Sequence, residues 1–151
     1  VYIAASEWIA KACTKIQGQV TSATCAIAQK AAEKAMITNP NEVNFMRDTF
    51  LKRRNLILDL LNDIPGIKTN IPSGAFYVFP DVSYYFGKTD GKITINTSSD
   101  FCMFLLHDSH VALVAGEAFG TPHCVRISYA ASDKHIIDAL QRIKKSLTKL
   151  S

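Results

Sequence analysis

The stretch Asp63-Ile64-Pro65-Gly66 divides this chain into two textures. Before it, apolar residues recur at helical spacing. After it, short β-branched and aromatic runs stand between turns marked by glycine and proline. The order this predicts is three helices and then β-β-α-β-β-α, an α/β chain whose second part is a small α+β domain.

The helical part opens at Ser6-Glu7-Trp8, with Ser6 as N-cap and an acid in the first turn. Trp8, Ile9, Ala12 and Ile16 keep helical period, and Gln17-Gly18-Gln19 reads as a break. Thr21 or Ser22 then caps a second helix, "ATCAIAQKAAEKAMI". Its alanines allow close packing and mark it as a buried or interface helix. "TNPNE" at 38–42 is a stop and restart. A long helix follows from about Glu42 to Asn62, with Met46, Phe50, Ile57 and Leu61 as its apolar stripe. The boundary between two domains is expected here, giving 1–40 and 41–151.

Beyond Gly66, "IKTNI" and "AFYVFP" read as two paired strands around Pro72-Ser73-Gly74. Gly87 and Gly91 are turn points of a loop. Ser98 or Ser99 caps a helix through "DFCMFLLHD". "VALVAG" reads as a buried strand, "GEAFG" as a loop and "CVRISYA" as the next strand. Ser132 caps the last helix, with Ile136, Ala139, Leu140, Ile143, Leu147 and Leu150 along one face.

Bulk properties narrow the function classes. Apolar residues make up 48% of the 151 and charged residues 20%, with a formal net charge of +4. These are ordinary values for a globular protein. No apolar run approaches the roughly 18 residues that span a bilayer, so no membrane partner is expected. The densest basic cluster, "LKRRN" at 51–55, reads as a solvated helix face, and nucleic acid is not an expected partner. Cys13, Cys25, Cys102 and Cys124 stand apart without C-x-x-C spacing. Reduced thiols in a cytoplasmic protein are the expectation. The opening "VYIAASEWIA" lacks an initiator methionine and reads as a cut inside a structured region, hence as part of a longer protein.

Few residues carry chemistry. Arg126 alternates with Val125 and Ile127 in an apolar strand that follows a glycine-bearing loop. A guanidinium is always charged and is rarely buried without a partner. Such an arginine is suited to hold a carboxylate by a two-pronged hydrogen bond, although a surface arginine on an edge strand fits the same pattern. His107 and His110 stand three apart at a helix end, without a third ligand at metal spacing, and His123 and His135 carry no partner signal in the sequence. No metal site is expected. Asp100 and Asp108 read as helix-end residues. No acid/base pair, P-loop or nucleophile elbow is present.

Taken together, "YIAASEWIAKA" at 2–12, "IQGQVTSATCAIAQKAA" at 16–32, "RR" at 53–54, "PSGAFYVFPD" at 72–81, "VALVAGEAFG" at 111–120 and "RISYA" at 126–130 resemble the C-terminal portion of class I aminotransferases. These are pyridoxal-phosphate enzymes of the aspartate aminotransferase type, of fold type I. The resemblance runs the length of the chain. It implies that Arg126 binds the α-carboxylate of the amino-acid substrate and that Phe76 lies near the pocket mouth. It also implies that Gln19, Thr21 and Ser22 sit at a homodimer interface near the active site. It makes residues 1–40 the end of a large cofactor-binding domain. The parent would move an amino group between an amino acid and a 2-oxo acid, using pyridoxal 5'-phosphate. The family's Schiff-base lysine falls before Val1. Lys11 and Lys15 lie beyond the matching motif, so no catalytic residue and no productive cofactor binding are expected in these residues alone.

Two departures stand beside Arg126. Ala115 replaces the usual proline of "V-P-G", and His123 replaces a common glycine. Both bear on substrate preference. Two other readings compete: a related pyridoxal-phosphate lyase or cyclopropane-forming synthase, and a non-catalytic module with a basic helix at 47–54.

Overall fold

The computed structural model describes residues 3–151. Val1 and Tyr2, where the fragment-like opening begins, lie outside the described residues. The chain divides into two compact units, one ending at Val43 and one beginning at Asn44.

The first unit holds α1 (Glu7–Val20), α2 (Ala26–Ile37) and a 3-10 turn, Pro40–Val43. Ser6 is the N-cap of α1 as expected, but its side chain makes no capping bond. The expected break at Gln17-Gly18-Gln19 is absent, because one glycine costs a helix only about 1 kcal/mol relative to alanine. The helix ends instead at Thr21-Ser22, where Ser22 takes a left-handed φ of 65°. Neither residue caps α2; Cys25 does. No side chain of α1 or α2 is buried in this chain. Trp8 and Ile27 are 73% and 81% exposed.

The second unit starts with α3 (Asn44–Asn62), whose Ile57 and Leu61 are buried and whose Met46 end is exposed. Gly66, at φ 82°, closes the turn after it. Then come β1 (Tyr77–Val78), α4 (Ser98–Ser109), β2 (Val114–Ala115), β3 (Val125–Ser128) and α5 (Asp133–Leu147). The sheet order is β1-β3-β2, antiparallel throughout. "IKTNI" is not a strand of its own. It contributes one bridge, Lys68 opposite Asp81, and β1 pairs with β3 instead. "VALVAG" keeps strand geometry only at Val114–Ala115, with Val114 exposed. Long-range pairing, which local pattern does not encode, decided both outcomes.

Val78, Val125 and Ile127 lie in one core with Phe101, Phe104 and Leu105 of α4 and Ile136, Leu140, Ile143 and Leu147 of α5. α5 follows its expected face throughout, and Ser132 caps it by accepting from the His135 amide. Each fully buried side chain of this size contributes about 1.5–3 kcal/mol. Gly87 and Gly91 are left-handed turn points as expected. All four cysteines are free, with Cys102 and Cys124 buried. No helix of the described residues is long and apolar enough to cross a membrane.

α4 starts one residue earlier than its serines suggested. Thr97 is the cap, closing a capping box with Asp100. The Thr97 hydroxyl accepts from the Asp100 amide at 3.1 Å, and the Asp100 carboxylate accepts from Thr97 and Asn96 amides at 3.0 Å. Thr97→Ala should cost about 1 kcal/mol, read as a lower urea midpoint at unchanged slope. Those amide bonds, from Asn96 first, hold the Asp100 carboxyl below its ordinary 3.8. The Lys149 ammonium, at 2.6 and 2.7 Å, does the same for Asp108. A depressed folded pKa gives stability that is present above 3.8 and lost as pH falls through the folded value. Asp100→Asn and Asp108→Asn should therefore flatten the loss of stability below pH 3.8, measured by thermal melts across acid pH.

Candidate functional site

β3 is the central strand, and its period of two sorts its side chains. Val125 and Ile127 are buried while Arg126 and Ser128 point to the opposite face. Arg126 lies half-buried opposite Val114, and Ser128 lies opposite Tyr77. Paired residues of antiparallel strands share a face, so Val114, Arg126, Ser128 and Tyr77 form the open side of the sheet.

Two rings flank Arg126. Its guanidinium carbon is 4.5 Å from the centroid of Tyr77 and 4.6 Å from that of Phe119. Contacts of this kind contribute about 0.5–2 kcal/mol each and partly offset the loss of water around a cation. Phe119 is in turn met edge-on by Phe79 at 5.9 Å. Among the described residues no carboxylate pairs with Arg126.

Phe119 ends a 3-10 turn, Gly116–Phe119, that Gly116 pins to the strand behind it. The Gly116 amide donates to Cys124 O at 2.8 Å, and its carbonyl accepts from the Thr121 amide at 3.0 Å. A Cβ at Gly116 would fall 2.2 Å from Thr121 O and 2.3 Å from Cys124 O, both backbone. Ala115 has φ −63°, a value that a proline ring would also adopt. His123 contributes its carbonyl to the Val82 amide at 2.9 Å.

Phe76 immediately precedes β1. Its ring lies 4.4 Å from that of Tyr77 and 6.1 Å from that of Phe50. Phe76 and Arg126 thus approach the same ring, Tyr77. The turn before Phe76 is held at both ends. Arg54 donates to Pro72 O at 3.2 Å, and the Tyr129 hydroxyl donates to Ala75 O at 3.0 Å. Ala75 itself is left-handed, φ 62°. Burial raises the Tyr129 phenol's pKa, and the Arg54 charge pulls against that shift. Arg54, Tyr129, Phe50 and the 72–75 turn line a cleft of about 290 Å³.

Gln19, Thr21 and Ser22 belong to the first unit and are exposed. Gln19 is in the last turn of α1, and Thr21 and Ser22 both donate amides to Gln17 O at 3.0 Å. His110 is the left-handed C-cap of α4, and no group of three metal-ligating side chains occurs among the described residues. The basic stretch is engaged internally: Arg47 pairs with Asp48 and Arg53 with Asp133.

A pyridoxal phosphate pocket needs an enclosed lysine amine. In these residues every lysine is exposed except Lys88, which is half-buried with its ammonium 5.0 Å from the Tyr84 ring. None lines the 290 Å³ cleft.

Sequence reading did not find the roles of Tyr77, Phe119, Arg54 and Tyr129. Alternation along "AFYVFP" carried part of the signal, since it sets Tyr77 and Phe79 on the face away from buried Val78. Phe119 lies in a loop, where no period applies.

The sequence pattern of the family described as aminotransferase class I and II matches residues 2–143. A Petunia hybrida protein, the bifunctional aspartate aminotransferase and glutamate/aspartate-prephenate aminotransferase, is 43% identical over 150 residues, 97% of this chain and 31% of that protein. The crystal structure of the aspartate aminotransferase from Rhizobium meliloti superposes with a TM-score of 0.86 at 39% identity, over 93% of this chain and 36% of that one. An aromatic aminotransferase from Pyrococcus horikoshii gives 0.80 at 33%, over 96% and 37%. The chain spans about a third of the length of the relatives it matches.

Gly116→Ala should be among the costliest single changes in the second unit, at about 2 kcal/mol or more, because two backbone carbonyls must move. A urea titration beside Gly74→Ala, whose added methyl meets nothing within 4 Å, checks it.

Proposed function

The chain belongs to the class I and II aminotransferase family, and on that premise we propose that it is the C-terminal part of an aspartate aminotransferase-type enzyme. Residues 1–40 are the end of its large domain and 41–151 its small domain. The parent transfers an amino group between an amino acid and a 2-oxo acid in the cytoplasm, as a homodimer. Arg126 holds the α-carboxylate that both substrates carry.

One observation carries this reading. Of the five arginines, four donate to an oxygen of the chain: Arg47 to Asp48, Arg53 to Asp133, Arg54 to Asn55 and Pro72, and Arg142 to Ser109. Arg126 alone has neither a hydrogen-bond acceptor nor an ion-pair partner among the described residues, although it is half-buried. A cation kept partly out of water with its donors open is prepared for an external anion. A planar guanidinium matches a carboxylate through two parallel bonds, which fixes the carboxylate's plane and with it the direction of the α-carbon substituents.

Pyridoxal phosphate, when bound to the parent, supplies the electron sink for the chemistry at that carbon. Its anchoring lysine is assigned to parts of the parent outside these residues, in keeping with the exposed lysines here. What this chain contributes is orientation. Arg126 binds the carboxylate, and Phe76, beside Tyr77, borders the pocket mouth. Gln19, Thr21 and Ser22 face the dimer mate near the site. The exposed Trp8, Ile16, Val20, Ile27, Met36 and Ile37 support an interface role for the first unit, since helices with no buried side chain have apolar surface left to cover.

The full-length parent should transfer the amino group of L-aspartate to a 2-oxo acid. Arg126→Ala should lower kcat/KM on the order of 10²-fold, chiefly through KM, since an open carboxylate loses a charge-assisted two-pronged partner. Transfer unaffected by Arg126→Ala would remove Arg126 from the site. Absence of transfer with every amino acid tried would overturn the aminotransferase assignment.

A further inference from the structure

We infer that Tyr77 and Phe119 are positioning residues for Arg126: they hold the plane of its guanidinium so that its N–H edge meets a carboxylate squarely. This rests on the carboxylate role proposed above for Arg126.

The argument starts from what does not orient Arg126. Arginine side chains are long, and in this chain the other four are steered by oxygen acceptors. Arg126 has none among the described residues, so no hydrogen bond from these residues sets its plane. The contacts it does have are the two rings, at 4.5 and 4.6 Å. A flat cation over an aromatic face gains from both the ring quadrupole and stacking, and an ammonium gains from the quadrupole alone. The rings therefore act on the guanidinium's orientation as well as on its charge.

Each ring is itself held by a different part of the fold. Tyr77 is fixed by the pairing of β1 with β3, opposite Ser128, and by the Phe76 ring at 4.4 Å. Phe119 is fixed by the edge-on Phe79 ring and by the turn that Gly116 pins to Cys124. Phe119 is 46% exposed, so it is not a core residue retained for packing alone. The open sheet face has two ring supports for one cation. A point charge would need no support of that geometry.

The test is a double-mutant cycle in the full-length parent, reading KM for L-aspartate and kcat. Phe119→Leu should raise KM about fivefold with kcat nearly unchanged, the factor that loss of one cation–π contact of about 1 kcal/mol gives. In an Arg126→Lys background, where no plane has to be held, the same change should raise KM less than about twofold. Phe119→Tyr should restore the wild-type KM. Tyr77→Leu should repeat the pattern, with Tyr77→Phe as its rescue. Equal effects of Phe119→Leu in the two backgrounds, or no effect on KM in the first, would overturn the inference and leave the carboxylate role of Arg126 standing. An Arg126→Lys protein whose KM equals wild type would also overturn the inference, since no plane would then matter, whereas an Arg126→Ala protein with wild-type KM would remove the carboxylate role and the inference together. Should Phe119→Leu fail to fold, Phe119→Met, flexible and without a ring, replaces it in the same cycle.

Discussion

The second unit depends on β3 being paired on both sides. Its four residues bond to β1 through Ile127 and Ser128 and to β2 through Val125 and Arg126. Neither outer strand exceeds two residues, and each is held in place mainly by that shared neighbour. Because strand side chains alternate, one pairing fixes two surfaces at once. Val125 and Ile127 anchor α4 and α5 on the core side, and Arg126 is held up on the other. A slip of one residue would bury the guanidinium and expose the core. Packing and site are thus one constraint, and the short loops around Gly116 and Pro72–Ala75 refine it.

The two units differ in how far they satisfy themselves. The second buries a contiguous core drawn from α3, α4, α5 and the sheet. The first has two helices with no buried side chain and, on those helices, six large apolar residues in the open. Helices of 14 and 12 residues are marginal alone in water, and most helical stability comes from packing an apolar face. This contrast agrees with a chain that spans about a third of its relatives.

Local signals were legible where physics is local. The face of α5, the Ser132 cap, the Gly66, Gly87 and Gly91 turns and the strand character around Arg126 all follow from period, capping or left-handed φ. The errors fell where two signals of similar size compete. Gly18 was too weak to break α1, and the cap of α4 passed from the serines to Thr97 because only Thr97 faces Asp100 three residues on. The lone "IKTNI" run could not announce that its neighbour pairs with residues fifty positions away.

The site divides in the same way. By itself the sequence determined that an arginine stands among buried alternating residues, and its motifs determined the family. Those features depend on neighbours along the chain. Only the tertiary structure decided that Arg126 lacks an acceptor among the described residues, that rings from residues 77 and 119 flank it, and that Arg54 and Tyr129 clamp the turn leading to Phe76. Each of these depends on which segments meet across the sheet. That choice is made by the total burial the fold achieves, a quantity no local stretch of sequence contains.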